Sequence, residues 1–181
     1  MNRLSRKQHG FSLIEILISV LVFGVGILGL GGLQIASLKG SNNAHYRTTA
    51  SVLAMDLSDR MRSNLNAVSA GLYGEAVSCS KVSRLCRSSA CSIEELAIFD
   101  IQEIKCGSRV GSGTNMRREG GVAGLLPRGQ MTITCDGGVC VTPPNSTRAT
   151  HNITISWNTH KTDAKQENDD QLRSLTLPVI P

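Results

Sequence analysis

Apolar and polar positions divide this chain into stretches with different periods. Residues 11–38 are almost wholly apolar, and no charged residue occurs from 16 to 33. Eighteen or more uncharged, mostly apolar residues in succession predict a membrane-spanning helix. The run is too long for the apolar core of a secretory signal peptide, and no small-x-small cleavage site closes it. From residue 39 the run gives way to a stripe: Tyr46, Ala50, Leu53, Leu57, Met61 and Leu65 recur at spacings of three or four. That is the period of one helix face packed on something else. Asp56, Asp59, Arg60 and Arg62 lie mainly off the stripe. The expectation is one helix with two halves, a span over 11–38 and an amphipathic half over 39–65, about 80 Å long at about 1.5 Å per residue.

Residues 66–181 form the remainder, a head. Positions 66–91 are polar and carry Gly71, Gly74 and several serines, which predicts a loop with at most a short irregular element. Ser92-Ile93-Glu94-Glu95 is a capping box, so a second helix is expected over 92–105, with Leu96, Ile98 or Phe99, and Ile104 on its apolar face. A glycine-rich basic loop follows over 107–121, with Arg109, Arg117 and Arg118. Period-two alternation then predicts strands. Met131-Thr132-Ile133-Thr134-Cys135 leads to a turn at Asp136-Gly137-Gly138, with Val139-Cys140-Val141 returning. His151-Asn152-Ile153-Thr154-Ile155-Ser156-Trp157 alternates again. A last strand over 172–177 ends at Pro178, after a charged loop over 161–170. An antiparallel sheet within 130–178, packed on the first helix, makes the fold class α+β.

Length and charge narrow the function. The 181 residues allow one modest domain plus a span. Arg3, Arg6 and Lys7 precede the apolar run, and without them the formal charge of +5 falls to +2. A nucleic-acid partner is therefore not expected. Basic residues before the span, with only Lys39 soon after it, favour a cytoplasmic N-terminus. Glu94, Glu95 and Asp100 have no histidine or nucleophile tied to them, and His45, His151 and His160 read as incidental surface or helix residues. No Ser/His/Asp, Cys/His or metal constellation is legible, so neither an enzyme nor a cofactor is expected. The formal G-x-G-x-x-G at 24–29 has no strand before it and lies inside the span, so it reads as small residues for close helix packing. Gly24, Gly26, Gly29, Gly31 and Gly32 also weaken the helix, by about 1 kcal/mol each relative to Ala.

Six cysteines on the far side of a span point to disulfides in an oxidising compartment. Cys86-x4-Cys91 and Cys135-x4-Cys140 are too loosely spaced for a zinc site, and no histidine pair has finger spacing. Cys135 and Cys140 flank a tight turn and pair. If 92–105 is one helix, Cys91 and Cys106 stand about 20 Å apart along it, beyond the roughly 7 Å that a disulfide spans. Cys79–Cys91 with Cys86–Cys106, or Cys79–Cys106 with Cys86–Cys91, remain open.

The N-terminal residues carry a specific resemblance. A basic leader, then Gly10-Phe11, then Glu15 at the head of an apolar helix resembles the class III signal of type IV prepilins. The resemblance implies that residues 1–10 are a leader, cut after Gly10 by a membrane prepilin peptidase. Phe11 then becomes the N-methylated first residue, and Glu15 a residue that governs subunit assembly. A carboxylate inserted at a span centre costs roughly 2.5–3.5 kcal/mol, less near an end, so Glu15 needs a partner. A free α-amine with a pKa of about 8 on a neighbouring subunit is a suitable one. The stretch 53–64, the segment Leu96-Ala97-Ile98-Phe99-Asp100 and the turn Leu126-Pro127-Arg128-Gly129 resemble minor pilins of the PilV type. Ile104 stands near the place where such segments carry a tryptophan. This implies the type IV pilin fold and a minor pilin that initiates or tips a type IV pilus, in motility, adhesion or DNA uptake. The implied partners are the prepilin peptidase, other minor and major pilins, the inner-membrane assembly platform, and membrane lipid along 11–38. Alternatives are a type II secretion pseudopilin, which shares the N-terminal chemistry, and a tip adhesin or DNA-binding pilin working through Arg109, Arg117 and Arg118.

Overall fold

The computed structural model describes residues 10–74, 76–80, 85–110, 117–138, 140–141, 149–160 and 170–180. The chain divides into two compact units between Asn42 and Asn43. The first helix, α1 (Leu13–Ser63), contributes to both. In the first unit no described residue from 11 to 38 is buried.

In the second unit α1 turns one face inward. Ala50, Ala54, Leu57 and Met61 are fully buried, and Tyr46 and Leu53 pack beside them. This is the stripe read from the sequence, with Ala54 added. Leu65 does not join it. The helix stops at Ser63, and Leu65 opens the short α2 (Leu65–Ser69) with its side chain exposed. The break is at buried Asn64, whose Nδ2 donates to the Ile93 carbonyl at 3.1 Å. A helical turn at Leu72–Gly74 follows and buries Tyr73.

The second long helix, α3 (Ile93–Cys106), starts at the capping box. Glu95 N donates to Ser92 Oγ at 3.2 Å, and Ser92 N donates to Glu95 Oε2 at 3.0 Å. Its buried residues include Ala97, Phe99, Ile101 and Ile104, but also Asp100 and Gln102. Leu96 and Ile98 are only half-buried. The expected basic loop is in part a hairpin, β1 (Ser108–Val110) paired antiparallel with β2 (Arg117–Glu119). Helix α4 (Gly121–Leu125) comes next. Gly121 has φ +65° and sits so close that a Cβ there would strike the Gly107 amide nitrogen, so only glycine fits. The turn at Leu126-Pro127-Arg128-Gly129 closes with Gly129 N donating to Leu126 O at 3.0 Å.

Strands β3 (Gln130–Cys135), β4 (His151–His160) and β5 (Asp170–Val179) form one antiparallel sheet in that order. Met131 opposes Ile155, Cys135 opposes His151, and Ile153 opposes Leu177. The alternation read from the sequence sets the inner face: Met131, Cys135, Ile153, Ile155, Trp157 and Val179 are buried. One core joins this face to α1 and α3, as the α+β reading requires. The 161–170 loop lies outside the described residues, apart from its last residue.

Two strand expectations change. Val139 lies outside the described residues, and Cys140 and Val141 are not in a strand, because β3 takes β4 as its partner. The segment packs instead on the Leu72–Gly74 turn. A Cβ at Gly74 would collide with Cys140 Sγ, and one at Gly71 would lie 2.9 Å from Val141 Cγ2. The last strand does not end before Pro178: Pro178 pairs in register with Asn152, which a proline can do on an edge strand.

Candidate assembly site and the disulfide-bonded head

Gly10, Phe11 and Ser12 are non-helical and exposed, and α1 begins at Leu13. Ser12 O accepts from Glu15 N at 3.1 Å and Ile16 N at 3.4 Å. Glu15 therefore stands in the first turn, where the unsatisfied N–H groups favour a negative charge. Ser19 Oγ donates to the Glu15 carbonyl at 2.7 Å. Among the described residues nothing pairs with the Glu15 carboxylate. This carboxylate follows an exposed Phe11 at 81 % accessibility, in an apolar segment of which no described residue from 11 to 38 is buried. Chemically, this end is equipped for contacts with other molecules. Residues 1–9 lie outside the described residues.

The carboxylates set aside as an active site have separate structural roles. Glu94 and Glu95 occupy the first turn of α3. Asp100 is buried in a network that the sequence reading did not foresee. Arg60 Nη1 reaches Asp100 Oδ1 at 3.2 Å and Glu103 Oε2 at 3.3 Å, while Arg60 Nε holds Asp56 at 3.0 Å. Tyr73 Oη donates to Asp100 Oδ2 at 2.7 Å. Arg87 Nη2 adds a 2.9 Å bond to Glu103 Oε2. Burial raises the Asp100 pKa from its ordinary value, although the Tyr73 and Arg60 hydrogen bonds oppose it. Burial, then the Asp100 carboxylate, pushes the Tyr73 phenol well up. For Arg60 burial acts to lower the value, but Asp56 and Asp100 outweigh it and the guanidinium is held charged.

Of the three arginines of the basic loop, Arg118 is drawn into the head and Arg117 stays exposed. Arg118 donates to Gln102 Oε1 and to the Gly107 carbonyl, both at 3.2 Å. Arg117 Nε pairs with Glu119 at 2.7 Å. Arg109 opposes Arg118 across the hairpin.

The cysteines form three disulfides, Cys79–Cys106, Cys86–Cys91 and Cys135–Cys140. Of the two connectivities left open for the first four, this is the one in which a short bridge closes just before α3 and a long one holds its last residue, Cys106. His151 corrects the sequence reading: it is fully buried. Its Nδ1 lies 3.0 Å from the Ala149 carbonyl, and its Nε2 has no hydrogen-bond partner among the described residues. Burial lowers its pKa, against a smaller opposing effect of the Ala149 hydrogen bond. Its ring lies beside the Cys135–Cys140 disulfide, with one ring nitrogen and the two sulfurs within 4.8 Å of one another. The signal that could have found it is parity: position 151 is in phase with Ile153, Ile155 and Trp157.

Two family models match the chain in succession. The prokaryotic N-terminal methylation motif covers residues 5–31. Type IV pilin Tt1218 covers residues 32–102. No curated protein and no solved structure matches the chain. The methylation motif covers Gly10, Phe11 and Glu15, and the pilin match runs from the apolar part of α1 into α3. Together they account for residues 5–102, and the chain is a type IV pilin with a prepilin methylation motif at its N-terminus.

Proposed function

We propose that this pilin is a minor pilin that initiates a type IV pilus or forms its tip. The prepilin peptidase cuts between Gly10 and Phe11 and methylates the Phe11 amine. Residues 11–38 hold the precursor in the bacterial inner membrane, with the N-terminus cytoplasmic and the head periplasmic. The assembly platform then transfers it into the filament, among other minor and major pilins. There the Glu15 carboxylate pairs with the Phe11 amine of a neighbouring subunit, so that two charges facing an apolar environment become one pair. The observation that carries this reading is Glu15, unmatched among the described residues, in the first turn of an apolar segment of which no described residue from 11 to 38 is buried, four residues after Phe11.

A type II secretion pseudopilin has the same N-terminal chemistry and is distinguished by where the mature protein goes. The DNA-binding or adhesin reading has less support, since Arg117 and Arg118 are engaged by Glu119, Gln102 and Gly107. The test of the assembly role is Glu15→Ala. Cleavage after Gly10 is expected to persist, while the amount of the chain in sheared filaments falls by an order of magnitude or more. Normal incorporation of the variant contradicts the pairing.

A further inference from the structure

The inner face of the sheet continues past the apolar core. Position 173 is in phase with Leu175, Leu177 and Val179, and Arg173 opposes Trp157 in the ladder. Opposed residues share a face, with Cβ atoms about 4.5–5.5 Å apart. Asn43 and Arg47 of α1 come to the same place. With Trp157, Thr159 and Arg173 they line a groove of about 470 Å3, a volume typical of small-ligand sites.

The lining is rich in donors. Two guanidinium residues border the groove, and among the described residues no carboxylate does. Arg47 is exposed, and no described residue holds it in a hydrogen bond or ion pair. Trp157 is 4 % exposed, and its Nε1–H is buried without a partner among the described residues. Two cations that border one groove repel each other. An oxyanion seated there relieves the repulsion and accepts charge-assisted hydrogen bonds. The planar guanidinium fork suits a phosphate, which presents its oxygens in pairs.

The place of these residues in the chain selects the source of the phosphate. Asn43 and Arg47 come five and nine residues after Leu38, where the apolar run ends. On the anchoring proposed above, they follow the span on its far side. Lys and Arg are scarce in such flanks, so an arginine there without a carboxylate partner calls for another anion. The nearest abundant one is the headgroup layer of the membrane itself.

We propose that this groove binds the phosphate headgroup of an anionic phospholipid, with Arg47 and Arg173 holding the phosphate oxygens and Trp157 walling the groove beside them. The proposal rests on the reading of residues 11–38 as a membrane anchor. Bound lipid holds this end of the head at the membrane surface until the chain is drawn into a filament.

The test uses the full chain reconstituted into vesicles of phosphatidylcholine, in which the fraction of phosphatidylglycerol is raised stepwise. Trp157 is the one tryptophan of the chain, so its emission reports on the groove. The emission should shift and saturate as phosphatidylglycerol rises, and inorganic phosphate should not reproduce the shift. Arg47→Gln and Arg173→Gln should each raise the half-saturating lipid fraction about fivefold, the effect of one basic residue near an anionic surface. Arg62→Gln, which removes an exposed arginine of α1 outside the groove, should leave it unchanged. Circular dichroism checks that each variant is folded, and flotation measures the anchor separately. A chain that floats with both kinds of vesicle but shows no phosphatidylglycerol response overturns the lipid site and leaves the anchor standing. A chain that floats with neither overturns the anchor and the site with it. A response that Arg62→Gln weakens as much as Arg47→Gln is diffuse surface charge, and one that inorganic phosphate reproduces belongs to the free anion. Either contradicts the proposal.

Discussion

Tyr73 Oη donates a 2.7 Å hydrogen bond to Asp100 Oδ2, tying the turn after α2 to the middle of α3. The other oxygen of that carboxylate takes Arg60 from α1 at 3.2 Å. One buried carboxylate thus joins three elements that sequence separates by up to 40 residues.

Removing Tyr73 Oη leaves Asp100 short of a donor in a site where its side chain is 7 % exposed. Tyr73→Phe is expected to lower stability by about 1.5–3 kcal/mol, the range for a hydrogen bond to a charged group. Arg60 is 27 % exposed and shares its charge among three carboxylates, so Arg60→Ala should cost about 1–3 kcal/mol. Urea denaturation followed by circular dichroism measures both. The double variant should cost less than the sum of the two, because the residues share Asp100. Additive losses contradict the shared network.

His151 gives the head a pH dependence. Its folded pKa lies below the usual 6.5, so below that value the unfolded chain binds a proton that the folded chain does not. The contribution is fully present above pH 6.5 and is lost as pH falls from there through the folded value. Its slope is at most about 1.4 kcal/mol per pH unit. Asp100 acts with the opposite sign. Its raised pKa lets the folded chain take a proton before the unfolded one does, so acid relieves a cost there. His151→Leu should flatten the loss of stability between pH 7 and 5 in denaturation midpoints. An unchanged slope would show that another group carries it.

The disulfides should differ in worth. Cys79–Cys106 closes a separation of 27 residues, and Cys86–Cys91 only 5. On the loop-entropy account the first contributes about 3–4 kcal/mol and the second about 2. Replacing Cys79 and Cys106 by serine should lower the denaturation midpoint more than replacing Cys86 and Cys91. The reverse order would place the main constraint in the short loop.

What the sequence disclosed follows from the range of the forces involved. Apolar period, capping chemistry and strand alternation are local, so the apolar run, the α1 stripe, Ser92 with Glu95, and the inner face of β4 were readable. Ser92 and Glu95 need only each other. The Arg60–Asp100–Tyr73 network is not readable, because each member looks like a surface residue of its own element. The choice between two cysteine connectivities depended on where both ends of α3 dock. His151 was misassigned on residue type, although its phase with Ile153, Ile155 and Trp157 marked it as inward. Val139-Cys140-Val141 alternates like a strand, but Cys140 and Val141 pack against Gly74 and Gly71, while β3 pairs with β4.

The most direct test of the central claim is mass spectrometry of this protein in two fractions, sheared surface filaments and inner membrane. The account predicts a mature chain beginning at N-methylated Phe11 in the filaments, at the low abundance of a minor subunit. Processed chain confined to membranes, with protein secretion lost on deletion, would assign it to a secretion system instead. A chain that keeps residues 1–10 in both fractions would contradict the claim.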